Sequence, residues 1–343
     1  MAAAANKRFR GMSRRKRAII SLCLVLLAAA AVFAFYEVGR WIETRNIPAP
    51  PRGDLTGVFE EQPRIEWNGR TYARKSGLTS ILLMGVDKRD DAPTTGFRQG
   101  GQADFLLLLV LDRDQKTVTQ LQIDRDTMTD IVVLGVLGNV TGTRRSQVCL
   151  SHGFGDGAET SCEYTVQAVK NLLFGMDVDL YAAIDLNAIG VLNDALGGVT
   201  VALEDDFSAY DPEMTPGKTL TLTGRQAEAL VRYRMDVGDG TNESRMRRQR
   251  TYMEAASKAL GERIARDADF VGGLYEALDG IMVTNMRKGR MINEASRIYS
   301  YDILPAATPA GEYGIGDDGF MEFHADEAKL LQWVVETYFD PVN

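Results

Sequence analysis

The sequence predicts an α/β protein built in three layers, α/β/α, preceded by one transmembrane helix. From Ser76 onward short apolar runs alternate with helical patterns, the rhythm of helices packed on a sheet. Before them, 18–36 holds 19 residues without a charge, enough to cross a hydrocarbon core of roughly 30 Å. The runs 81–84 and 105–111 are apolar throughout, as strands buried on both faces are. In 118–123, Gln120 and Gln122 alternate with Leu121 and Ile123, the pattern of a half-buried strand. Thr160 to Glu163 fits a capping box, followed by Val166, Val169, Leu172 and Leu173 on one helical face and Gly175 as a stop. Strands are expected at 181–185 and 199–203. A helix over 186–196 lies between them, ended by Gly197 and Gly198. Thr223 to Gln226 repeats the box before 227–231, a long helix covers 244–264, and the tail from Phe270 adds helices, including 325–338.

Charge orients the chain. Residues 1–17 carry seven basic and no acidic residues, so the remainder holds −15 against a total of −8. A basic block before an apolar segment places the amino terminus in the cytoplasm and the body outside. The rival reading is a cleaved signal peptide, whose apolar region is shorter, about 7–15 residues. An acidic body argues against nucleic acid as a partner. The expected division is a cytoplasmic tail (1–17), an anchor (18–36), an extracytoplasmic stalk (37–75) and a domain (76–343). The domain has a core at about 78–265 and a helical part at 266–343. Pro48, Pro50, Pro51 and Gly53 stiffen the stalk. Cys23 falls in the anchor. Cys149 and Cys162 flank a Gly-rich stretch outside the membrane, where a disulfide persists, and a bridge between them is expected. Two histidines and no Cys-x-x-Cys pair exclude a structural zinc site.

Arginines and aspartates from distant segments carry the chemistry. Asp87 follows one apolar run and Asp104 opens another, where an open α/β sheet gathers ligands. Two carboxylates meeting there need a cation or proton between them; the alternative is that Asp87 caps a turn and Asp104 caps a strand entry. Arg125 lies between Asp124 and Asp126 directly after a strand. Arg232 and Arg234 share a face if extended, and Arg245, Arg248 and Gln249 share one helix face. Forked guanidiniums clamp phosphate oxygens; a solvated basic face is the alternative. No serine-hydrolase or zinc-protease motif is present.

Seven segments in order resemble the LytR-CpsA-Psr family of bacterial envelope enzymes. They are Leu82-Leu83-Met84-Gly85-Val86-Asp87 with Arg89, Asp104, Ile123-x-Arg125-Asp126-Thr127, Asp194-Ala195-Leu196-Gly197-Gly198-Val199, Leu222-x-Gly224-x-x-Ala227-x-x-Leu230, Arg232-x-Arg234, and Asp239 followed by Arg245-x-x-Arg248-Gln249. The resemblance implies an extracytoplasmic α/β/α sandwich with a mixed central sheet. Its implied activity is transfer of a glycopolymer, such as teichoic acid or capsule, from a polyprenyl pyrophosphate carrier onto peptidoglycan. It implies magnesium, with manganese as an alternative, on Asp87 and Asp104. Pyrophosphate contacts fall to Arg125, Arg232, Arg234, Arg245, Arg248 and Gln249, and an apolar groove lined from 186–192 takes the lipid. Arg125, Asp126 and Asp87 are the expected catalytic residues, with Asp87 or Asp126 accepting the proton. Two departures stand out: Gln102 where the family carries an arginine, with Arg98 as a substitute, and Asp124 where it carries a proline. A carrier hydrolase, or a catalytically weak scaffold that binds the lipid-linked glycan, is the alternative.

Overall fold

A computed structural model describes residues 33–34, 36–39, 64–87, 100–185 and 188–342. These fall into two compact units, 33–34, 36–39 and 133–142 in one, and 64–87, 100–132, 143–185 and 188–342 in the other. The predicted tail, and all of the predicted anchor except residues 33, 34 and 36, lie outside the described residues. Among the described residues no helix is long and apolar enough to cross a membrane.

Within the expected stalk, β1 (Arg64–Trp67) and β2 (Arg70–Arg74) form a hairpin turned by Asn68 and Gly69, both at positive φ. The central sheet follows. β3 (Leu78–Asp87), β4 (Gln102–Asp112) and β5 (Thr117–Ile123) are successive antiparallel neighbours. β6 (Met128–Leu134) and β7 (Val140–Gln147) make a separate ribbon. β8 (Leu180–Asp185) returns parallel to β3. β9 (Val199–Ala202) and β10 (Thr219–Leu222) pair with each other. β11 (Met282–Thr284) runs antiparallel to β8 and β12 (Asp302–Ile303) parallel to β5. The sheet is therefore mixed, in the order β11-β8-β3-β4-β5-β12. β13 (Gly311–Ile315) and β14 (Met321–Ala325) form a further hairpin. β15 (Phe339–Pro341) completes the small sheet beside β2.

The unbroken apolar runs of β3 and β4 supply both faces of this sheet. Leu82, Met84, Leu106 and Leu108 pack under the helices Glu159–Leu172 and Glu327–Tyr338. Ile81, Leu83, Leu107 and Leu109 face Met253, Met291 and Ile298 on the helices Asn242–Arg266 and Lys288–Ser300. Burial of this order, at roughly 25 cal/mol per Å² of apolar surface, is what holds a domain together.

The helix Gly224–Arg232 begins in the predicted capping box: Thr223 Oγ1 accepts from Gln226 N, and Gln226 Oε1 accepts from Thr223 N. The other predicted box is corrected. The helix Glu159–Leu172 starts one residue before Thr160, with Ala158 as an N-cap that gives no side-chain bond. Asp156 does the capping instead, accepting from Ala158 N at 2.8 Å and Ser161 N at 3.3 Å. The predicted disulfide is also absent: no bond joins Cys149 to Cys162, and both thiols are buried. The Gly-rich stretch between them needs no staple, because it begins as the helix Leu150–Gly153.

One close approach constrains the half of the domain that carries the downstream arginines. A Cβ added to Gly224 would lie 2.8 Å from Gly190 O and 2.9 Å from Asp194 Oδ2, whereas one on Gly190 would meet nothing nearer than 3.4 Å. Gly224→Ala is expected to destabilise by about 1–3 kcal/mol by forcing these helices apart, and Gly190→Ala by less. Denaturant midpoints of the two variants check this.

Candidate active site

Local chain chemistry aims Arg125 at one edge of the sheet. Beyond β5 the chain turns sharply, with Asp124 Oδ1 accepting from Asp126 N at 2.8 Å and Asp124 O from Thr127 N at 3.0 Å. β4 enters at the same edge with a bulge. Val86 pairs with Ala103 and Gly85 with Phe105, so Asp104 is the residue the register skips. Bulges re-aim side chains in this way.

Asp104 sits between two guanidiniums. Arg125 Nη1 donates to its Oδ1, and Arg245 Nη1 to its Oδ2 at 3.1 Å. Arg125 also donates to Gln102 Oε1 and to Cys149 Sγ, the latter at 3.5 Å, and its Nε lies 3.3 Å from Asp126 Oδ1. Arg245 stands in the first turn of the helix Asn242–Arg266, capped by Thr241. Its Nη2 donates to Asn242 Oδ1 at 2.7 Å, and Asn242 Nδ2 donates to Asp124 Oδ1 at 2.9 Å. Tyr313 Oη donates to Asp124 Oδ2. The departure at Asp124 thus meets three donors, Asp126 N, Asn242 Nδ2 and Tyr313 Oη, and the departure at Gln102 supports Arg125. Arg98 lies outside the described residues.

Asp87 accepts from Arg232 Nη2 at 3.0 Å, and Arg232 Nη1 donates to Glu228 at 2.9 Å. Arg234 is half-buried, and its charge is felt at Asp126 and Arg245. The structure therefore gathers Asp87, Asp104, Arg125, Asp126, Arg232, Arg234 and Arg245. Arg248 and Gln249 face elsewhere. Arg248 donates to Leu230 O, Tyr233 O and Asp205 Oδ2 at 3.3, 2.7 and 2.8 Å. Gln249 donates to Val231 O at 3.1 Å. Both tie the 230–234 segment to the long helix.

Charges in the cluster are unevenly matched. Desolvation, with Arg125 and Arg234 nearby, lowers Arg245 below its ordinary value although Asp104 opposes it. Arg245 Nε is buried without a hydrogen-bond partner, a cost of about 1–3 kcal/mol. Burial pulls Arg125 down, but Cys149, Asp104 and Asp126 hold it above its ordinary value. Asp126 is raised by burial and then by Asp124, against three arginines. Burial raises the Cys149 thiol to about 12, although the neighbouring Arg125 opposes it.

An apolar cavity of about 270 Å³, lined among others by Gly85, Ile184, Ile189, Val231 and Gln249, lies on the face that carries the long helix. Gly85 precedes Asp87 by two residues, and Val231 adjoins Arg232. A larger groove of about 1060 Å³ shares Leu83, Phe105, Leu192 and Met253 with it. Ile189 and Leu192 supply the wall expected from 186–192; residues 186 and 187 lie outside the described residues.

Sequence reasoning missed Asn242 and Tyr313. Asn242 precedes Arg245 by three residues on the same helix, a spacing that puts them on one face. Tyr313 arrives from a distant hairpin and leaves no local signal.

Fold and site define an α/β protein with guanidiniums and carboxylates gathered at one sheet edge beside an apolar cavity. The sequence model of the LytR_cpsA_psr family matches residues 57–306, and the chain belongs to that family. It is 31% identical over 246 residues to the polyisoprenyl-teichoic acid–peptidoglycan teichoic acid transferase TagU of Halalkalibacterium halodurans, a match spanning 66% of this chain and 74% of TagU. Among solved structures, protein gbs0355 of Streptococcus agalactiae aligns with a TM-score of 0.62 at 22% identity, over 76% of this chain and 87% of that one. TagT bound to LI-WTA aligns with a TM-score of 0.58 at 19% identity, over 84% and 97%. At these identities the two structural likenesses establish the fold.

Proposed function

We propose that this protein is a membrane-anchored phosphotransferase that moves a glycopolymer from a polyprenyl pyrophosphate carrier onto peptidoglycan outside the cell. The observation that carries the reading is the pairing of Asp104 with both Arg125 and Arg245, beside Asp87–Arg232 and next to an apolar cavity. A carboxylate between two guanidiniums stands where diphosphate oxygens would bind, and the cavity suits an isoprenoid tail. Kinship with a teichoic acid transferase and the basic-then-apolar amino terminus support the acceptor and the anchor.

Among the described residues no group of three or more His, Cys, Asp or Glu forms a cage for a metal. Magnesium shared with substrate phosphates needs only one or two carboxylates. Asp87 and Asp104, at one edge of β3 and β4, fit that role, with manganese as the alternative. The ion would neutralise charge developing on the diphosphate. Arg125, Arg245, Arg232 and Arg234 position the diphosphate and stabilise its charge, which is most of what phosphoryl transfer requires. Arg248 and Gln249 hold the arginine-bearing segment in place. The acceptor hydroxyl attacks the glycan-proximal phosphorus, forming a new phosphate ester. The bridging P–O bond breaks, polyprenyl phosphate leaves, and the hydroxyl proton passes to Asp126.

Because Asp126 keeps its proton to higher pH than an ordinary aspartate, the base form appears only above that point. The transfer rate is expected to rise with pH through a midpoint above the usual carboxylate value of about 3.9. Asp126→Asn is expected to flatten this limb and lower kcat by about 10²–10⁴-fold. A pH profile measured with and without a peptidoglycan oligomer tests the reading. Transfer to the oligomer supports it; sugar release to water alone would make the protein a hydrolase. Binding without turnover, unchanged by chelator, would make it a scaffold.

A further inference from the structure

Beside the arginine cluster two tyrosines stack in the open. Tyr210 and Tyr233 have ring centroids 4.1 Å apart at an interplanar angle of 10°, yet 39% and 38% of their surfaces stay exposed. Their placement is rigid. Tyr210 N donates to Phe207 O at 2.8 Å and Tyr233 N to Ala229 O at 3.1 Å. Arg248 Nη2 donates to Tyr233 O at 2.7 Å, and the same guanidinium lies 5.5 Å from the centroid of Phe207. Phe207 in turn meets Tyr210 at 6.4 Å. One buried arginine therefore holds the Tyr233 backbone and sits over the ring that meets Tyr210. A stack that served only the core would be covered; this one leaves more than a third of each tyrosine exposed.

The surroundings suit a sugar. Aromatic faces carry negative quadrupole charge that attracts the polarised C–H face of a pyranose. The Asp236 carboxylate lies within electrostatic reach of the Tyr210 phenol, and carboxylates accept from sugar hydroxyls. Tyr233 stands between Arg232 and Arg234, and its phenol lies within electrostatic reach of the Arg232 guanidinium that pairs with Asp87. A sugar joined directly to a diphosphate held by these arginines lies beside the stack. This favours the donor glycan over the acceptor.

We propose that Tyr210 and Tyr233 form a platform that binds a sugar ring of the carrier-linked donor. The assignment rests on the diphosphate reading of the neighbouring arginines. Its test compares the Kd of the full-length protein for a polyprenyl diphosphate with the Kd for the same carrier bearing a disaccharide. The sugar is expected to tighten binding by about tenfold. Tyr210→Ala and Tyr233→Ala are expected to remove that gain while leaving the bare carrier within about twofold, and Tyr233→Phe to retain most of it. Equal weakening of both ligands would reduce the stack to a scaffold. Full retention of the gain in the alanine variants would overturn the platform, as would a change confined to the KM for peptidoglycan. Failure of the wild-type protein to bind bare carrier would overturn the transferase reading and the donor platform together. Normal carrier binding with no gain from the sugar would overturn the platform alone.

Discussion

Arg125→Ala is expected to lower transfer turnover by about 10³-fold or more while leaving the fold intact. Its side chain touches Asp104, Gln102, Asp126 and Cys149 together, so it is the hub of the cluster. Arginines placed on a transferring phosphoryl group contribute about 10³–10⁵-fold in other enzymes. Asp104, 9% exposed, keeps Arg245 as a partner, whereas Asp126, 11% exposed, loses its ion pair. The expected result is a folded protein with a somewhat lowered denaturation midpoint and turnover gone. Arg125→Lys is expected to rescue little, because an ammonium cannot fork toward Asp104 and Gln102 at once. Steady-state kinetics beside a urea titration separates the two effects.

Arg248→Met is expected to do the reverse, destabilising the protein by about 3–5 kcal/mol. The Arg248 side chain is only 4% exposed and pairs with Asp205, itself 13% exposed. Truncating it strands that carboxylate and frees the carbonyls of Leu230 and Tyr233. Adding Asp205→Leu to the variant is expected to recover part of the loss, since an apolar pair replaces an orphaned charge. Urea midpoints across the double-mutant cycle check this.

These two arginines also show where the sequence was legible. The unbroken apolar runs of β3 and β4 announced central strands because no other environment tolerates them. Their ends placed Asp87 and Asp104 at one edge, and Arg125 fell there because β5 follows β4 by a short antiparallel return. Helical spacing put Arg245, Arg248 and Gln249 on one face. Spacing gives a face but not its neighbours. The first turn of that helix overlooks the sheet edge, while the second packs on 230–234, so Arg245 meets Asp104 and Arg248 meets Asp205.

Long-range partners left no local trace. β1 and β2 hide in a segment marked by prolines, because their sheet is completed by β15 from the far end of the chain. Tyr313 reaches Asp124 across 189 residues. The capping box at Thr160 failed because Asp156 offers the helix start a better acceptor one turn earlier. The expected disulfide is absent, and each thiol has a side-chain neighbour of its own. Cys149 accepts from Arg125 at 3.5 Å, and Cys162 lies 3.9 Å from His152 Nε2.

On the proposed function, the cluster splits a carrier diphosphate so that phosphate stays with the glycan. The most direct measurement is mass spectrometry of both products after incubation with a disaccharide-bearing polyprenyl diphosphate, magnesium and a peptidoglycan oligomer. Polyprenyl monophosphate is expected together with an oligomer heavier by the disaccharide and one phosphate, and neither product from Arg125→Ala. Polyprenyl diphosphate together with an oligomer carrying sugar but no phosphate would mean that the diphosphate linkage is not the bond cleaved.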